Sequence, residues 1–419
     1  MVVRITELDN GILVATDAMP DAESVVTGVW VGVGTRHEPW RANGVAHLVE
    51  HMMFKGTKTR SAYALSSAIE NKGGSMNAHT SREATVYYAR VLPEETETAL
   101  DVLSDMLLRS VFAPKELERE RMVVLQEIGR DLDSPEDVAY DLMYGGALPQ
   151  QTVGRPILGS AKVIADLPRD AVASYVRKHY VGSNMVLVAA GRVNHDAFVA
   201  MARTRFAKVP RGRRAEIVRA RIRSGMVRQD KEIEQVHLLF AFAGPGYKTR
   251  ASYYATQVMS LILGGSSSSR LFQKVREKRG LVYTVHSSHA SLREAGLFQI
   301  YAGTDPKRLR ELVPVICQEL KNMQKTVTRG ELRRAKAQVR AEFLMGRDSV
   351  MRRAEMLGSQ MLAHGKPIPA DVLVQRILSV DADAVKDAAH KVFSKKPLVT
   401  ALGPLEALEP YDSIVARLA

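Results

Sequence analysis

The chain has 419 residues, a length typical of two or three domains, and 46% of its residues are hydrophobic and 25% charged. This composition excludes a disordered chain, a collagen-like repeat and a disulfide scaffold. The single cysteine, Cys317, cannot form an internal disulfide, and the net charge of +13 fits either an anionic partner or a solvated surface.

No membrane or secretion signal is visible in the sequence. The longest apolar runs have about ten residues, which is too few to span a bilayer. The first residues, MVVRITELDNG, lack the basic and apolar regions of a signal peptide. We therefore expect no membrane span and no secretory leader.

The first half of the chain mixes strand-like and helical apolar patterns, with Pro93 and two glutamates marking one helix start. Strands are predicted at 11–17, 25–34, 84–92 and 185–190, and helices at 45–55, from 93, and at 114–130, 135–144 and 170–179.

The second half repeats this order about 210 residues later. A strand at 236–242 and a helix at 255–264 repeat the early pair, and the tails RDAVASYVRKHYVGSNMVLVAAG and ADAVKDAAHKVFSKKPLVTALG are similar. A repeat of this length indicates a duplicated domain. We predict an α+β fold with two duplicated domains, each an antiparallel or mixed β-sheet covered by helices on one face.

A basic stretch is predicted to join the two copies. The predicted boundaries are an N-terminal domain at 1–209, a linker at 210–229 and a C-terminal domain at 230–419. The linker is either an anion-binding patch or a solvated connection. Because no aromatic residues lie between its arginines to stack on bases, the solvated connection is favoured and no nucleic-acid partner is expected.

A metal-binding pattern occurs in the first predicted helix. His47 and His51 are four residues apart, so one helix face can present both imidazoles to one ion, and Glu50 flanks that face. Zn²⁺ accepts nitrogen ligands and lowers the pKa of a bound water to near 7, so a neighbouring carboxylate can take its proton. This is the H-x-x-E-H arrangement of inverted zincins. The alternative is two packed or solvated histidines on an amphipathic helix.

A catalytic zinc site needs a third protein ligand. The helix at 114–130 offers Glu116, Glu120 and Glu127 on one face. Glu127 lies among apolar residues, where a buried carboxylate would need a partner such as a metal. Periodicity does not choose between Glu120 and Glu127, and a surface ion pair would explain either.

Four longer blocks follow one another in an order shared with a known family. They are GVAHLVEHMMFKGT, GGSMNAHTSREATVYYARVL, ERERMVVLQEIGRDLDSPEDVAYDLM and SSRLFQKVREKRGLVYTVHS. The chain resembles the pitrilysin/insulinase family of zinc peptidases over essentially its whole length. Within that family it is most similar to mitochondrial processing peptidase, its beta subunit in particular, and to bacterial homologues.

The resemblance implies a complete zinc site with one Zn²⁺ per chain. It implies that His47, His51 and Glu127 are the ligands and that Glu50 is the general base. It also implies that Glu120, seven residues before the third ligand, supports the site without binding the metal itself.

Substrate-binding positions also follow from the resemblance. Asn77 and Ala78 match an edge-strand segment that holds an extended peptide as an added strand. Asp137 and Asp141 fall where acids receive an arginine just before the cut, although acids also suit a helix start. Phe54 falls where an aromatic ring lines the pocket just after the cut.

The second copy has Thr256, Met259 and Ser260 near the positions of the metal motif, so it cannot bind zinc in the same way. Its Arg276 and Tyr283 resemble a family pair that binds substrate backbone and stabilises the developing oxyanion. Full-length family members contain four such domains. The resemblance therefore implies a dimer, most simply a homodimer, in which this pair could face the partner's zinc; a heterodimer with a degenerate paralogue is the alternative.

Together these features predict a cytoplasmic bacterial zinc metalloendopeptidase. Its expected substrates are extended, unfolded peptides or N-terminal presequences, cut near a basic residue, arginine, by Glu-assisted attack of zinc-bound water. Two alternatives are a non-catalytic, peptidase-like structural subunit and an RNA-binding protein that uses the arginines at 211–228.

Overall fold

The computed structural model describes residues 3–419, with only the backbone described at 250 and 251, and the predicted elements occur in the predicted order. The strands are β1 (Val3–Glu7), β2 (Leu13–Ala18), β3 (Val25–Val31), β4 (Ser75–Thr80), β5 (Thr85–Val91), β6 (Met185–Gly191), β7 (Gly225–Asp230), β8 (Val236–Gly244), β9 (Thr284–Ser291), β10 (Gly296–Thr304) and β11 (Leu398–Gly403).

The helices follow the same numbering along the chain. They are α1 (Val45–Met53), α2 (Ala62–Glu70), α3 (Thr96–Arg109), α4 (Pro114–Leu132), α5 (Pro135–Ala147), α6 (Ala161–Asp166), α7 (Arg169–His179), α8 (His195–Arg205), α9 (Arg250–Gly264), α10 (Leu309–Lys325), α11 (Arg329–Gly346), α12 (Val350–His364), α13 (Ala370–Leu378), α14 (Ala382–Phe393) and α15 (Tyr411–Leu418).

The chain divides into two compact units, each built on one β-sheet. Unit 1 comprises Met1–Arg130, Arg155–Ile217 and Leu344–Ile368, and unit 2 comprises Asp131–Gly154, Val218–Phe343 and Pro369–Ala419. These units differ from the predicted domains, 1–209 and 230–419, by two segments. The segment carrying α12 belongs to unit 1, and the segment carrying α5 belongs to unit 2.

The sheet of unit 1 has six strands in the order β1-β2-β6-β3-β5-β4. β2 and β6 run parallel and the other neighbours run antiparallel, so the sheet is mixed. The valine-rich β3 is buried along its whole length, as expected for β-branched residues in a central strand. β4 lies at an edge, with Ser75 opposite Arg90 and Thr80 opposite Thr85 of β5.

The sheet of unit 2 has five strands in the order β7-β11-β8-β10-β9. β7 and β11 run parallel and the remaining pairs antiparallel. This order and these directions repeat β2-β6-β3-β5-β4 of unit 1, strand for strand. The predicted duplication and α+β class are therefore confirmed.

The predicted linker at 210–229 overlaps the first residues of β7. Its last five residues belong to β7, which pairs with β11 from Gly225 opposite Leu398 to Asp230 opposite Gly403. β7 is the counterpart of β2. Its sequence, GMVRQD, lacks a clear strand pattern because it contains charged residues, which are tolerated in an edge strand that faces solvent.

Both faces of each sheet are covered, whereas the sequence predicted helices on one face only. In unit 1, α3 packs on β3 and β5, and α12 packs on β6, β3 and β2. Alternate strand residues enter two separate apolar clusters: Val29 joins the large core, and Trp30 packs with Leu357 of α12. In unit 2, α5 packs on β11, β8 and β7 in the same manner, while α14 packs on β8. The second covering helix could not be predicted because it is distant in sequence.

Within unit 1, α1 packs against α7 and against the edge strand β4. The apolar side chains of α1, including Leu48, Val49 and Met52, enter the core, which leaves the polar side of the helix next to β4. Along residues 3–419, the helices are all too short or too polar to cross a membrane.

Candidate metal centre and its surroundings

The two histidines of α1 face the same carboxylate of α4. Nε2 of His47 and Nε2 of His51 each lie 3.6 Å from Oε2 of Glu127. The two imidazole rings meet nearly edge to face, with centroids 4.7 Å apart. Among the described residues these three form a group whose ligand atoms all lie within 4.8 Å of one another.

The chemistry and spacing of this group fit zinc. Two imidazole nitrogens and one carboxylate oxygen are a donor set found in catalytic zinc sites with an open fourth position. Tetrahedral coordination at the usual zinc distances would separate ligand atoms by about 3.3 Å. The two 3.6 Å separations are close to that value, so His47, His51 and Glu127 could hold the ion with small side-chain movements.

Glu120 is adjacent to only one histidine and lies on its far side. Its Oε2 is 3.1 Å from Nδ1 of His51, and its Oε1 is 2.8 Å from Nζ of Lys55. A proton on Nδ1, donated to this carboxylate, leaves the lone pair of Nε2 free to face Glu127. Periodicity left Glu120 and Glu127 as alternatives; the geometry brings Glu127 to both Nε2 atoms and Glu120 to the outer nitrogen of one ring.

The sequence suggested that Glu127 is the buried carboxylate of α4, but Glu120 is the more buried of the two. The side chain of Glu120 is 8% exposed, whereas the side chain of Glu127 is 27% exposed. The charge of Glu120 is offset by Lys55, which the sequence analysis did not single out. Glu116, the third candidate on α4, pairs instead with Arg119 at the surface.

His47 is held in the neutral form that binds metals. Burial, followed by the nearby His51, lowers the pKa of His47 to about 4. Nδ1 of His47 is buried and has no hydrogen-bond partner among residues 3–419. The imidazole therefore needs no deprotonation at neutral pH before it can act as a ligand.

Glu50 lies beside the histidines and is oriented by β4. The Oγ1 hydroxyl of Thr80 donates a 2.5 Å hydrogen bond to Oε2 of Glu50. Burial raises the pKa of Glu50, the Thr80 hydrogen bond and His51 lower it, and the negative charge of Glu127 raises it. A carboxylate that is half-buried and made more basic is suited to accept a proton.

Three further predicted positions lie in unit 1. Phe54 follows α1 and packs on the apolar core, with its ring centroid 6.5 Å from that of Tyr87. Asn77 is exposed on β4, and its side-chain oxygen accepts a hydrogen bond from the backbone N–H of Ala78. Of the described strands, only β5 pairs with β4, so the other edge of β4 has unpaired main-chain groups.

The remaining predicted positions belong to unit 2. Asp137 and Asp141 are exposed and one turn apart on α5, and Ser134 caps this helix by accepting a hydrogen bond from the N–H of Asp137. Arg276 stacks over the ring of Phe272, 4.9 Å from its centroid. Tyr283 is 60% exposed, so its phenol group is accessible in this chain.

The helix of unit 2 that corresponds to α1 carries structural side chains. Thr256 and Met259 of α9 are buried, and the hydroxyl of Ser260 donates to the backbone oxygen of Ser287 in β9. This contact between a helix and an edge strand parallels the Glu50–Thr80 contact of unit 1. The described part of unit 2 contains no His, Cys, Asp or Glu group with metal-binding spacing.

Sequence comparisons identify the two halves separately. Residues 13–161 match the family described as insulinase (peptidase family M16), and residues 166–339 match the family described as the peptidase M16 inactive domain. The second description agrees with the loss of metal ligands from the second half.

Bacterial relatives match over nearly the full length. An uncharacterized zinc protease of Rickettsia felis is 36% identical over 401 residues, covering 96% of this chain and 97% of the relative. The uncharacterized zinc protease YmxG of Bacillus subtilis is 33% identical over 408 residues, covering 96% and 98%.

Two solved structures have the same fold. A protease from Helicobacter pylori superposes with a TM-score of 0.90 at 20% identity, covering 96% of this chain and 99% of its own. A structure described as a peptidase M16 inactive domain, from Pseudomonas fluorescens, gives a TM-score of 0.88 at 22% identity, covering 98% and 100%. With full-length relatives more than 30% identical, the chain belongs to the insulinase family, peptidase family M16.

Proposed function

We propose that this chain is a zinc-dependent endopeptidase that cleaves extended, unfolded peptides or N-terminal presequences. The observation that carries the proposal is the convergence of His47, His51 and Glu127, with Glu50 beside them on the same helix. Full-length relatives named zinc proteases support it.

In the proposed mechanism the residues of unit 1 have separate roles. His47, His51 and Glu127 would hold the ion. Zinc in such a site supplies a Lewis acid that lowers the pKa of water and polarises the scissile carbonyl. Glu50 accepts the proton of the attacking water at its carboxylate and then delivers it to the leaving amine. Thr80 holds Glu50 in position through its hydroxyl.

Substrate would bind along β4 as an added strand. The segment of β4 around Asn77 and Ala78 lies at the edge of the sheet that no described strand covers, and such pairing accepts many sequences as long as the peptide is extended. The contact between Glu50 and Thr80 brings the last residue of this strand next to the proposed base. A bound peptide would therefore run past the metal centre.

A preference for arginine near the cut is part of the proposal. The segment 131–141 has five acidic residues and no basic residue, and Asp137 and Asp141 are exposed on α5. Exposed carboxylates one turn apart favour a guanidinium group. Phe54 would line the pocket for the residue that follows the cut.

We further propose that the enzyme works as a homodimer in the bacterial cytoplasm. Arg276 and Tyr283 are exposed, and a phenol donor together with a guanidinium can stabilise an oxyanion. Their location in unit 2 is compatible with a role in the active site of the partner. A heterodimer with a degenerate paralogue is the alternative.

The test is digestion of a mixed peptide library by the wild type and by Glu50→Gln, with the cuts mapped by mass spectrometry. We expect one zinc per chain in both proteins and cuts near arginine only with the wild type. His51→Ala should lose zinc as well as activity. Cleavage by Glu50→Gln at the wild-type rate would refute the mechanism.

The same experiment separates peptidase activity from a purely structural role. A wild type that binds zinc but cuts no peptide, alone or mixed with a paralogue, would support the non-catalytic subunit. The complete ligand set and the neutral His47 favour the enzyme.

A further inference from the structure

A buried carboxylate lies at the N-terminus of the helix that carries both histidines. Glu38 is in the loop before α1 and is 2% exposed. Its Oε2 accepts hydrogen bonds from the backbone N–H of Gly44, at 2.9 Å, and from Nδ2 of Asn43, at 2.8 Å. Its Oε1 accepts from the backbone N–H of Ala46, also at 2.9 Å. The donors belong to Ala46 in the first turn of α1 and to the two residues that precede the helix, Asn43 and Gly44.

This arrangement differs from the other helix starts in the chain. The first backbone N–H groups of any helix have no partner inside the helix and are usually bound by the side chain of the N-cap residue. Among the described helices, such local caps include Ser61 for α2, Ser134 for α5, Ser160 for α6, Asn194 for α8, Thr328 for α11, Ser349 for α12 and Asp381 for α14. The N-cap residue of α1 is Gly44, which has no side chain, and Glu38 takes over from six residues away.

Gly44 is required because the backbone of residues 158 and 159 lies directly against it. Gly44 has a φ of +95°, and a Cβ there would lie 2.6 Å from the backbone oxygen of Leu158. Gly159 has a φ of +80°, and a Cβ on it would lie 2.4 Å from the backbone oxygen of Asn43. Two backbones therefore meet without room for a side chain. The start of α1 is fixed by this contact on one side and by Glu38 on the other.

Burying a carboxylate this deeply is unfavourable unless hydrogen bonds or nearby positive charge stabilise its ionised form. Burial raises the pKa of Glu38 to about 7, and its hydrogen bonds with Asn43, Ala46 and Gly44 and the charge of Arg155 oppose that shift. The positive end of the helix dipole also favours the ionised form. The local caps named above are exposed or half-buried side chains and do not carry this penalty, so the buried carboxylate distinguishes the helix that bears the histidines from those helices.

We infer that Glu38 is a positioning residue of the metal centre, an inference that rests on the proposed function. Ala46, one of the residues that Glu38 holds, directly precedes His47, and His51 follows one turn later. Because an α-helix is stiff over this length, fixing its first turn fixes where both Nε2 atoms face Glu127. Releasing the first turn lets the helix shift, and each ligand position shifts with it.

The test measures zinc affinity of the full-length chain by competition with a chelator. Glu38→Gln keeps the shape but replaces an acceptor oxygen by an NH₂ group, and Glu38→Ala removes both acceptors. Both variants should bind zinc at least about tenfold more weakly than the wild type, the effect usual for groups that orient metal ligands. On a peptide substrate, kcat should fall while KM stays within about twofold.

Asp17→Asn is the matched control. Asp17 is another buried carboxylate of unit 1, 5% exposed, and it pairs with Arg353 away from α1. The Asp17→Asn substitution should lower the stability of the fold. As long as circular dichroism shows that the variant is folded, its zinc affinity should equal that of the wild type. If Glu38→Ala does not fold, the near-isosteric Glu38→Gln still decides the question.

The outcomes separate this inference from the proposed function. Wild-type zinc affinity in a folded Glu38→Gln protein would overturn the inference, as would an equal loss of affinity in Asp17→Asn. A wild type that binds no zinc would overturn the proposed function instead. Tight zinc binding by the wild type and weak binding by Glu38→Gln, without any peptidase activity, would support the positioning role and refute the peptidase.

Discussion

The carboxylate of Glu120 lies 3.1 Å from Nδ1 of His51, on the side of the ring opposite the proposed metal position. A histidine that binds a metal through one nitrogen is oriented by the hydrogen bond at the other nitrogen. His51 has this partner, whereas the outer nitrogen of His47 has none among residues 3–419. The two ligands are therefore supported unequally, and His51 depends on a group from another helix.

Glu120→Gln should weaken zinc binding by about 10- to 100-fold, because the amide is a poorer acceptor and no longer balances Lys55. Zinc competition against a chelator would measure this. Glu116→Gln is the control on the same helix, because Glu116 pairs with Arg119 at the surface. Equal affinities for the two variants would exclude the orienting role of Glu120.

Thr80→Val should shift the acidic limb of the kcat/KM profile toward higher pH. The Thr80 hydrogen bond lowers the pKa of Glu50 against the opposing effect of burial, so its removal raises that pKa further. A base with a higher pKa is protonated over a wider pH range, and activity below neutrality falls. Thr80→Ser retains the hydroxyl and should preserve the wild-type profile; an unshifted limb in Thr80→Val would contradict the prediction.

The buried His179 should make unit 1 less stable in acid. Burial, assisted by Lys178, lowers the pKa of His179 to about 4, below the value of about 6.5 in an unfolded chain. The unfolded state therefore binds the proton first, and stability falls as the pH drops from about 6.5 toward 4. Between pH 7 and pH 5 the loss from this group should be about 1–2 kcal/mol.

Urea unfolding of the zinc-free protein at pH 7 and pH 5 measures this loss. In His179→Phe the ring still packs beside Tyr175, whose centroid lies 4.8 Å away, but it cannot be protonated. The variant should lose less stability on acidification than the wild type. An identical pH dependence in both proteins would show that His179 does not contribute.

Asp17→Asn should lower the free energy of unfolding by about 3–5 kcal/mol, because it leaves the buried Arg353 without a counter-charge. This pair connects β2 to α12, the helix that covers the second face of the sheet in unit 1. Asp196→Asn, which breaks an exposed pair with Arg4, is the comparison and should have little effect. Chemical denaturation of both variants would test the difference.

The metal motif could be read from sequence because its spacing is local. Residues four apart on a helix share a face, so His47 and His51 were predicted to converge and Glu50 to flank them. The choice between Glu120 and Glu127 was not available from periodicity, because both lie on the same side of α4. It depended on the family resemblance, and the side-chain geometry now gives each carboxylate a different partner.

Features that depend on contacts between distant segments could not be predicted. β7 lies in a basic stretch that reads as a linker, and only its pairing with β11 identifies it as a strand. The placement of α12 and α5 on the second faces of the sheets has no local signal. Glu38 was missed for the same reason, since a single glutamate in a loop carries no periodic pattern.

The open edge of β4 has a consequence for the protein's behaviour at high concentration. A strand with unpaired main-chain groups can bind the same strand of another copy and begin aggregation. β4 has only six residues, and its outward positions carry Ser75, Asn77 and His79, which are polar. A short hydrophilic edge pairs weakly with itself. Replacing these three residues by valine would therefore favour fibrous or amorphous self-association over the folded, dispersed protein.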